Sequence, residues 1–129
     1  MKRTIIETQN SPAPIGPYSQ AVEAGNMLFI SGQIALIPGS SELANNTIEQ
    51  ETKQVMENLK AILLEATYSF SDVVKTTIFL TDMQLFANVN EVYGKYFSDS
   101  FPARETIAVK GLPKNVNVEI SMIAVKNSK

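Results

Sequence analysis

From Val116 onward, apolar and polar positions alternate. Val116, Val118, Ile120, Met122 and Ala124 share one parity, and Asn117, Glu119, Ser121, Ile123 and Val125 share the other. A period of two predicts a strand with one fully apolar face. The other face is half polar and half apolar, which suits a subunit interface with a wet pocket better than a bare solvent face, so a homo-oligomer is expected. Arg3 to Glu7 reads as a short strand. Ala21 to Ala24 and Met27 to Ile34 flank Gly25-Asn26, a two-residue turn suited to a β-hairpin. The period then changes. Between Thr47 and Thr67, Val55, Leu59, Ile62 and Ala66 fall on one helical face, and Thr47 with Gln50 fits a capping box. A strand follows over Val74 to Leu80. A second helix begins near Thr81-Asp82, with Leu85, Val89, Val92, Tyr93 and Tyr96 as its buried stripe. "FPARETIAVKGLPKNVNVEISMIAV" reads as two strands around a Gly-Leu-Pro turn and is expected to close the chain as a hairpin. "SPAPIGPYSQ" is an ordered loop rather than an element. The order β-β-β-α-β-α-β-β predicts an α+β fold in one domain spanning 1–129, with both helices on one face of a single sheet.

Composition narrows the chemistry. The chain has 129 residues, enough for one domain with a modest core, and its 44% hydrophobic and 19% charged content is that of an ordinary globular protein. A net charge of −2 gives no electrostatic footprint for nucleic acid, so none is expected as a partner. No apolar run is long enough to span a bilayer, and the start "MKRTIIETQNSPAP" turns polar after Ile6, so neither a membrane partner nor a signal peptide is expected and a cytoplasmic location is. The chain has no cysteine and no histidine. Disulfides, thiol or imidazole nucleophiles and thiolate or imidazole metal ligands are therefore excluded, and no metal site is expected. Neither GxxxxGK[ST] nor GxGxxG occurs, so the glycines form no phosphate loop. What remains is Arg, Glu, Asp, Lys, Tyr, Ser, Thr, backbone groups and water. Such a set favours reactions that need little activation.

Several residues stand out, each with two readings. Arg104 follows Pro102-Ala103 at a strand entry, where proline rigidifies the approach. Its planar fork suits a carboxylate, or it is a surface arginine or structural salt bridge. Glu119 lies between Val118 and Ile120. Partial burial would raise its pKa and make it a proton carrier, or it is a polar residue on an exposed strand face. Tyr18, in the restrained loop "IGPYSQA", either lines a pocket with its hydroxyl or packs the loop on the sheet. Ser31 and Gly32 interrupt a strand, which marks a plain bulge or a close approach of ligand or backbone. Asn90, an indifferent helix former, braces a loop or faces water. Lys75, Lys95, Lys110 and Lys114 read as solvated charges.

Taken together, "IGPYSQA", "MLFISGQI", "QVMENLKAIL", "DVVKTTIFLTDM", "VNEVYGKYF", "FPARETIAVKGLP" and "VEISMIAV" resemble, in order, the RidA (YjgF) family of reactive-intermediate deaminases. The resemblance runs from about Ile15 to Val125. It implies a chorismate-mutase-like fold assembled as a homotrimer with a central barrel and clefts between subunits. It implies hydrolysis, without a cofactor, of enamines and imines such as 2-aminoacrylate and 2-aminocrotonate to 2-oxo acids and ammonia. Arg104 matches the arginine that grips the substrate carboxylate, and Glu119 the glutamate that positions water or moves a proton. Tyr18, Ser31, Gly32 and Asn90 match residues lining the cleft. Thr106 falls where many members have cysteine and is read as supplying backbone contacts. Tyr68 stands where glycine usually eases a left-handed cap after the first helix, so this departure bears on that turn and not on the cleft. The competing expectations are a non-catalytic trimer that binds 2-oxo acids as a regulator and, less favoured by the acidic charge and missing histidine, a translation inhibitor or endoribonuclease.

Overall fold

The computed structural model describes residues 2–127. Its elements are β1 (Arg3–Ile6), β2 (Ala21–Ala24), β3 (Met27–Gln33), α1 (Ile48–Glu65), β4 (Val73–Leu80), α2 (Phe86–Gly94), β5 (Ala103–Ala108) and β6 (Val118–Val125). The six strands form one mixed sheet in the order β1-β2-β3-β6-β4-β5, in which only the β4–β5 pair is parallel. The α+β class and the element order agree with the periodicity.

The closing hairpin does not form. β5 and β6 are separated by β4: β5 lies outside β4 and parallel to it, while β6 inserts between β3 and β4. Two causes act together. A strand, crossover helix and strand place the second strand parallel beside the first, which fixes β5 against β4. β6 is the most apolar strand, with Val118, Ile120, Met122 and Ala124 all buried, so it gains most at the centre. β5 is largely exposed and suits an edge. The intervening loop is tied to the end of β4, where Val109 N–H donates to Leu80 O at 2.7 Å and Thr81 N–H to Asn117 O at 3.1 Å.

α1 carries the predicted stripe inward: Val55, Leu59, Ile62 and Ala66 pack with Leu28, Ile78, Val118 and Ile120 in the main core. Thr47 Oγ1 accepts from Gln50 N–H at 3.0 Å, but Gln50 Oε1 reaches back to Asn46 N–H at 2.8 Å rather than to Thr47, which is half of the expected box. α2 starts later than expected, at Phe86, after a 3-10 turn over Met83–Leu85 capped by Asp82. The left-handed residue ending α1 is Thr67 (φ 63°), one position before Tyr68. Tyr68 N–H then donates to Leu63 O at 2.8 Å and Thr67 N–H to Leu64 O at 3.0 Å, the bonding of a Schellman end. Tyr68 itself is buried, with its hydroxyl donating to Glu23 at 2.9 Å.

Both helices cover one face of the sheet. On the uncovered face Ile5, Phe29 and Ile107 are exposed among polar groups, including the Lys75–Glu105 ion pair at 3.2 Å. Among the described residues, no helix is long and apolar enough to cross a membrane.

Candidate active site

Arg104 aligns with Thr76 of β4, which aligns with Met122 of β6, so its side chain belongs to the helix-covered face. There the guanidinium carbon lies 5.5 Å from the Phe86 ring centre and 5.1 Å from that of Tyr93. Two aromatic faces of α2 therefore hold the cation by its quadrupole attraction. The Tyr93 ring is in turn fixed by its hydroxyl, which donates to the buried Thr76 Oγ1 at 3.0 Å. Desolvation pushes the Tyr93 hydroxyl pKa up, which keeps it a neutral donor. Asn90, Tyr93, Gly94, Phe101, Pro102 and Arg104 line a cleft of about 310 Å³. Phe101, 68% exposed, stands at its mouth. Thr106 aligns with Ile78 on the same face, two residues along β5. The Asn90 Oδ1 and Thr106 Oγ1 atoms are buried without a hydrogen-bond partner.

Glu119 has the opposite parity. It aligns with Phe79 and rises from the uncovered face. Its carboxyl is half-buried, and desolvation raises its pKa above the ordinary carboxylate value. Its place depends on Gly32. The β3–β6 register shifts between Ile30 and Gln33, and in that bulge a Cβ on Gly32 would lie 2.0 Å from Glu119 Oε2 and 2.8 Å from its Cδ. Any side chain there would expel the carboxylate, so the glycine of "SGQ" serves a close approach. Ser31 ties the bulge to the preceding loop: its N–H donates to Gln20 O at 2.9 Å and its Oγ to Ser19 O at 2.6 Å. Tyr18 shares a small cavity with Gly32, and its hydroxyl accepts from Ile15 N–H at 3.2 Å.

The seven candidate residues thus fall into two half-sites. Arg104, Asn90 and Thr106 gather at the β5 edge on the helix side. Glu119, Gly32, Ser31 and Tyr18 gather at the β3–β6 bulge. The halves are two strands apart, about 10 Å, and on opposite faces, so one protomer does not bring them together. Sequence reasoning passed over Phe86, Tyr93 and Phe101 as site residues and Gln20 as a brace. The spacing of Phe86, Asn90 and Tyr93, four and then three residues, puts them on one helical face and was the available signal. Gln20 gave none: its side chain bonds Thr8, Ser11 and Pro12 across an irregular loop.

Residues 8–126 match the family described as endoribonuclease L-PSP. A RutC family protein of Pyrococcus horikoshii is 52% identical over 96% of this chain and 98% of its own length. The chloroplastic Reactive Intermediate Deaminase A of Arabidopsis thaliana is 44% identical over 96% of this chain and 66% of its own length. The crystal structure of E. coli TdcF with bound serine superposes with a TM-score of 0.92 at 42% identity, covering 96% of this chain and 99% of that one.

Proposed function

The chain belongs to the Rid (YjgF) family, whose family model carries the description endoribonuclease L-PSP, and from that premise we propose that it hydrolyses small 2-imino acids and their enamine tautomers to 2-oxo acids and ammonia. The observations that carry this reading are an arginine held between two aromatic rings and, in a separate half-site, a desolvated glutamate; a second copy of the chain would bring the two together. The name of the Arabidopsis relative and the serine held by the E. coli relative support it, since serine brings a carboxylate of the size Arg104 would grip. We place the site in clefts of a homotrimer, with Arg104 from one subunit and Glu119 from the next.

The reaction asks little of the protein. An enamine such as 2-aminoacrylate takes a proton at C3 and becomes an iminium. Water adds to C2, and the carbinolamine loses ammonia to leave the C2 carbonyl. Arg104 binds the carboxylate through two parallel hydrogen bonds and so orients C2 and C3. Glu119, whose acid form is favoured by desolvation, donates to C3, then as carboxylate takes a proton from the attacking water and passes it to the leaving nitrogen. It takes up the carbinolamine hydroxyl proton as the C–N bond breaks, which restores the acid. Asn90, Thr106 and Tyr18 shape the walls. No thiol or imidazole is needed, in keeping with a chain that has neither.

The test is ammonia release from 2-aminoacrylate generated in place by a serine dehydratase. Acceleration over the dehydratase alone is expected. Binding of 2-oxobutyrate without acceleration would instead favour the regulatory reading.

A further inference from the structure

Glu51, in the opening turns of α1, is 0% exposed, and among the described residues no cation pairs with it. Its carboxylate accepts three hydrogen bonds from the start of β6: at Oε2 from Asn117 N–H (2.7 Å) and Val118 N–H (3.2 Å), and at Oε1 from Asn117 Nδ2 (2.9 Å). Burying a carboxylate is costly, and the nearby helix N-terminus offsets only part of that cost. A neutral oxygen would satisfy the two backbone donors equally. The three-point grip fixes more than hydrogen-bond count, because it pins both the backbone and the side chain of Asn117.

What it fixes is the height of the next residues. Glu119 follows Val118 directly, and its carboxylate must cross Gly32 where there is no room for even a methyl group. On that side the β3–β6 ladder is interrupted between Ile30 and Gln33 and ends with the single pair Gln33↔Ile120, so Val118 and Glu119 have no partner on β3. β4 holds the strand from the other side through Phe79↔Glu119 and Leu80↔Val118. Glu51 supplies the remaining anchor, one residue from Glu119 and from the opposite layer.

We propose that Glu51 is a positioning residue for Glu119, holding the first residues of β6 so that the Glu119 carboxylate lies across Gly32. The role in turnover rests on the hydrolase reading above; the placement does not. Glu51→Gln keeps the shape but turns an amide NH₂ toward existing donors, so at least one of the three bonds is lost. Carbon-13 NMR of carboxyl-labelled glutamates follows Glu119 through its own titration. In folded Glu51→Gln the Glu119 midpoint is expected to move toward the ordinary carboxylate value as the side chain leaves its desolvated place. Turnover per folded protomer is expected to fall by about tenfold, while 2-oxobutyrate affinity, measured calorimetrically, changes by no more than about twofold. Loss of the Glu51 charge alone would also move the midpoint, so the decision rests on folded Asn117→Ala, which removes only the Nδ2 bond and leaves that charge in place. A smaller displacement is expected there, and a Glu119 midpoint identical to wild type overturns the proposal, whatever the melting temperature does. A wild type that releases no ammonia would sink the hydrolase reading, yet the titration would still decide this one.

Discussion

Arg104 is held by rings rather than by an acid. Phe86 and Tyr93 flank its guanidinium, and the ion pair among the described residues, Lys75–Glu105, lies on the other face of the sheet. Its five donors therefore stay free for a ligand, and its planar shape suits both the stacking and the two-point grip. Arg104→Lys keeps the charge and loses both. A loss of about 1.5–3 kcal/mol is expected, or about ten- to a hundredfold in kcat/KM for imine hydrolysis; full activity would mean that the carboxylate is held elsewhere. Glu119 makes a prediction of the opposite kind. Its pKa is raised in the folded chain, so the folded state binds more protons than the unfolded one in the window above the ordinary carboxylate value. Its contribution to stability is complete below the unfolded pKa and is lost as pH rises through the folded pKa. Glu119→Gln is consequently expected to be more stable than wild type at neutral pH, the advantage vanishing in acid, while turnover falls by about a hundredfold for want of a proton carrier. Urea melts at two pH values, at one protomer concentration, check the first; ammonia release checks the second. The chemical types of both residues were legible in the sequence. Their aromatic and glycine surroundings were not, because Tyr93 reads as part of the buried stripe of α2, Phe86 falls outside that stripe, and Gly32 shows its use only when Glu119 is seen lying on it.

At the scale of elements, periodicity gave α1 and β6 almost to the residue, since each has one face that is wholly buried. It failed where pairing, rather than period, decides. Alternation marks β5 and β6 as strands but carries no information on which neighbour each takes, and the turn chemistry of Gly111-Leu112-Pro113 argued for a hairpin that the β4–α2–β5 crossover had already forestalled. The end of α1 shows a similar limit. A β-branched threonine is a poor candidate for a left-handed cap, so nothing in the sequence singled out Thr67, yet the Schellman bonding places it at φ 63°. A left-handed conformation costs a non-glycine residue about 1–2 kcal/mol. Glycine would remove that cost but add about 0.5–1 kcal/mol of lost chain entropy, and the exposed bond from Lys126 Nζ to Thr67 Oγ1 at 2.8 Å is worth little. Thr67→Gly is therefore expected to stabilise the protein by up to about 1 kcal/mol. Chemical denaturation at fixed protomer concentration measures it, and a destabilised variant would show that the Lys126 contact outweighs the strain.

At the scale of the whole molecule, the division of the candidate site across two faces of the sheet sets what an assembly must do. Ile5, Phe29 and Ile107 leave apolar surface exposed on the face that carries Glu119, and Arg104 stands on the edge strand at the far end of the sheet. A cyclic trimer with head-to-tail contacts would lay the β5 edge of one subunit against the Glu119 face of the next and would bury that surface three times over. Each cleft would then take its arginine and its glutamate from different chains. Arg104→Ala and Glu119→Gln subunits are each expected to be inactive alone. Co-expressed in equal amounts they would assemble at random, and about one cleft in four would receive a wild-type arginine from one neighbour and a wild-type glutamate from the other. Isolation by two different affinity tags removes the homotrimers, and each mixed trimer has one fully wild-type cleft of three, so the activity of the isolated mixed assemblies should return to about a third of the wild-type rate per protomer. A site built within one chain predicts no recovery at all, because every subunit in the mixture lacks one of the two groups. Sedimentation of the same sample separates the explanations: mixed trimers without activity would refute the shared cleft, and monomers at micromolar concentration would refute the assembly itself.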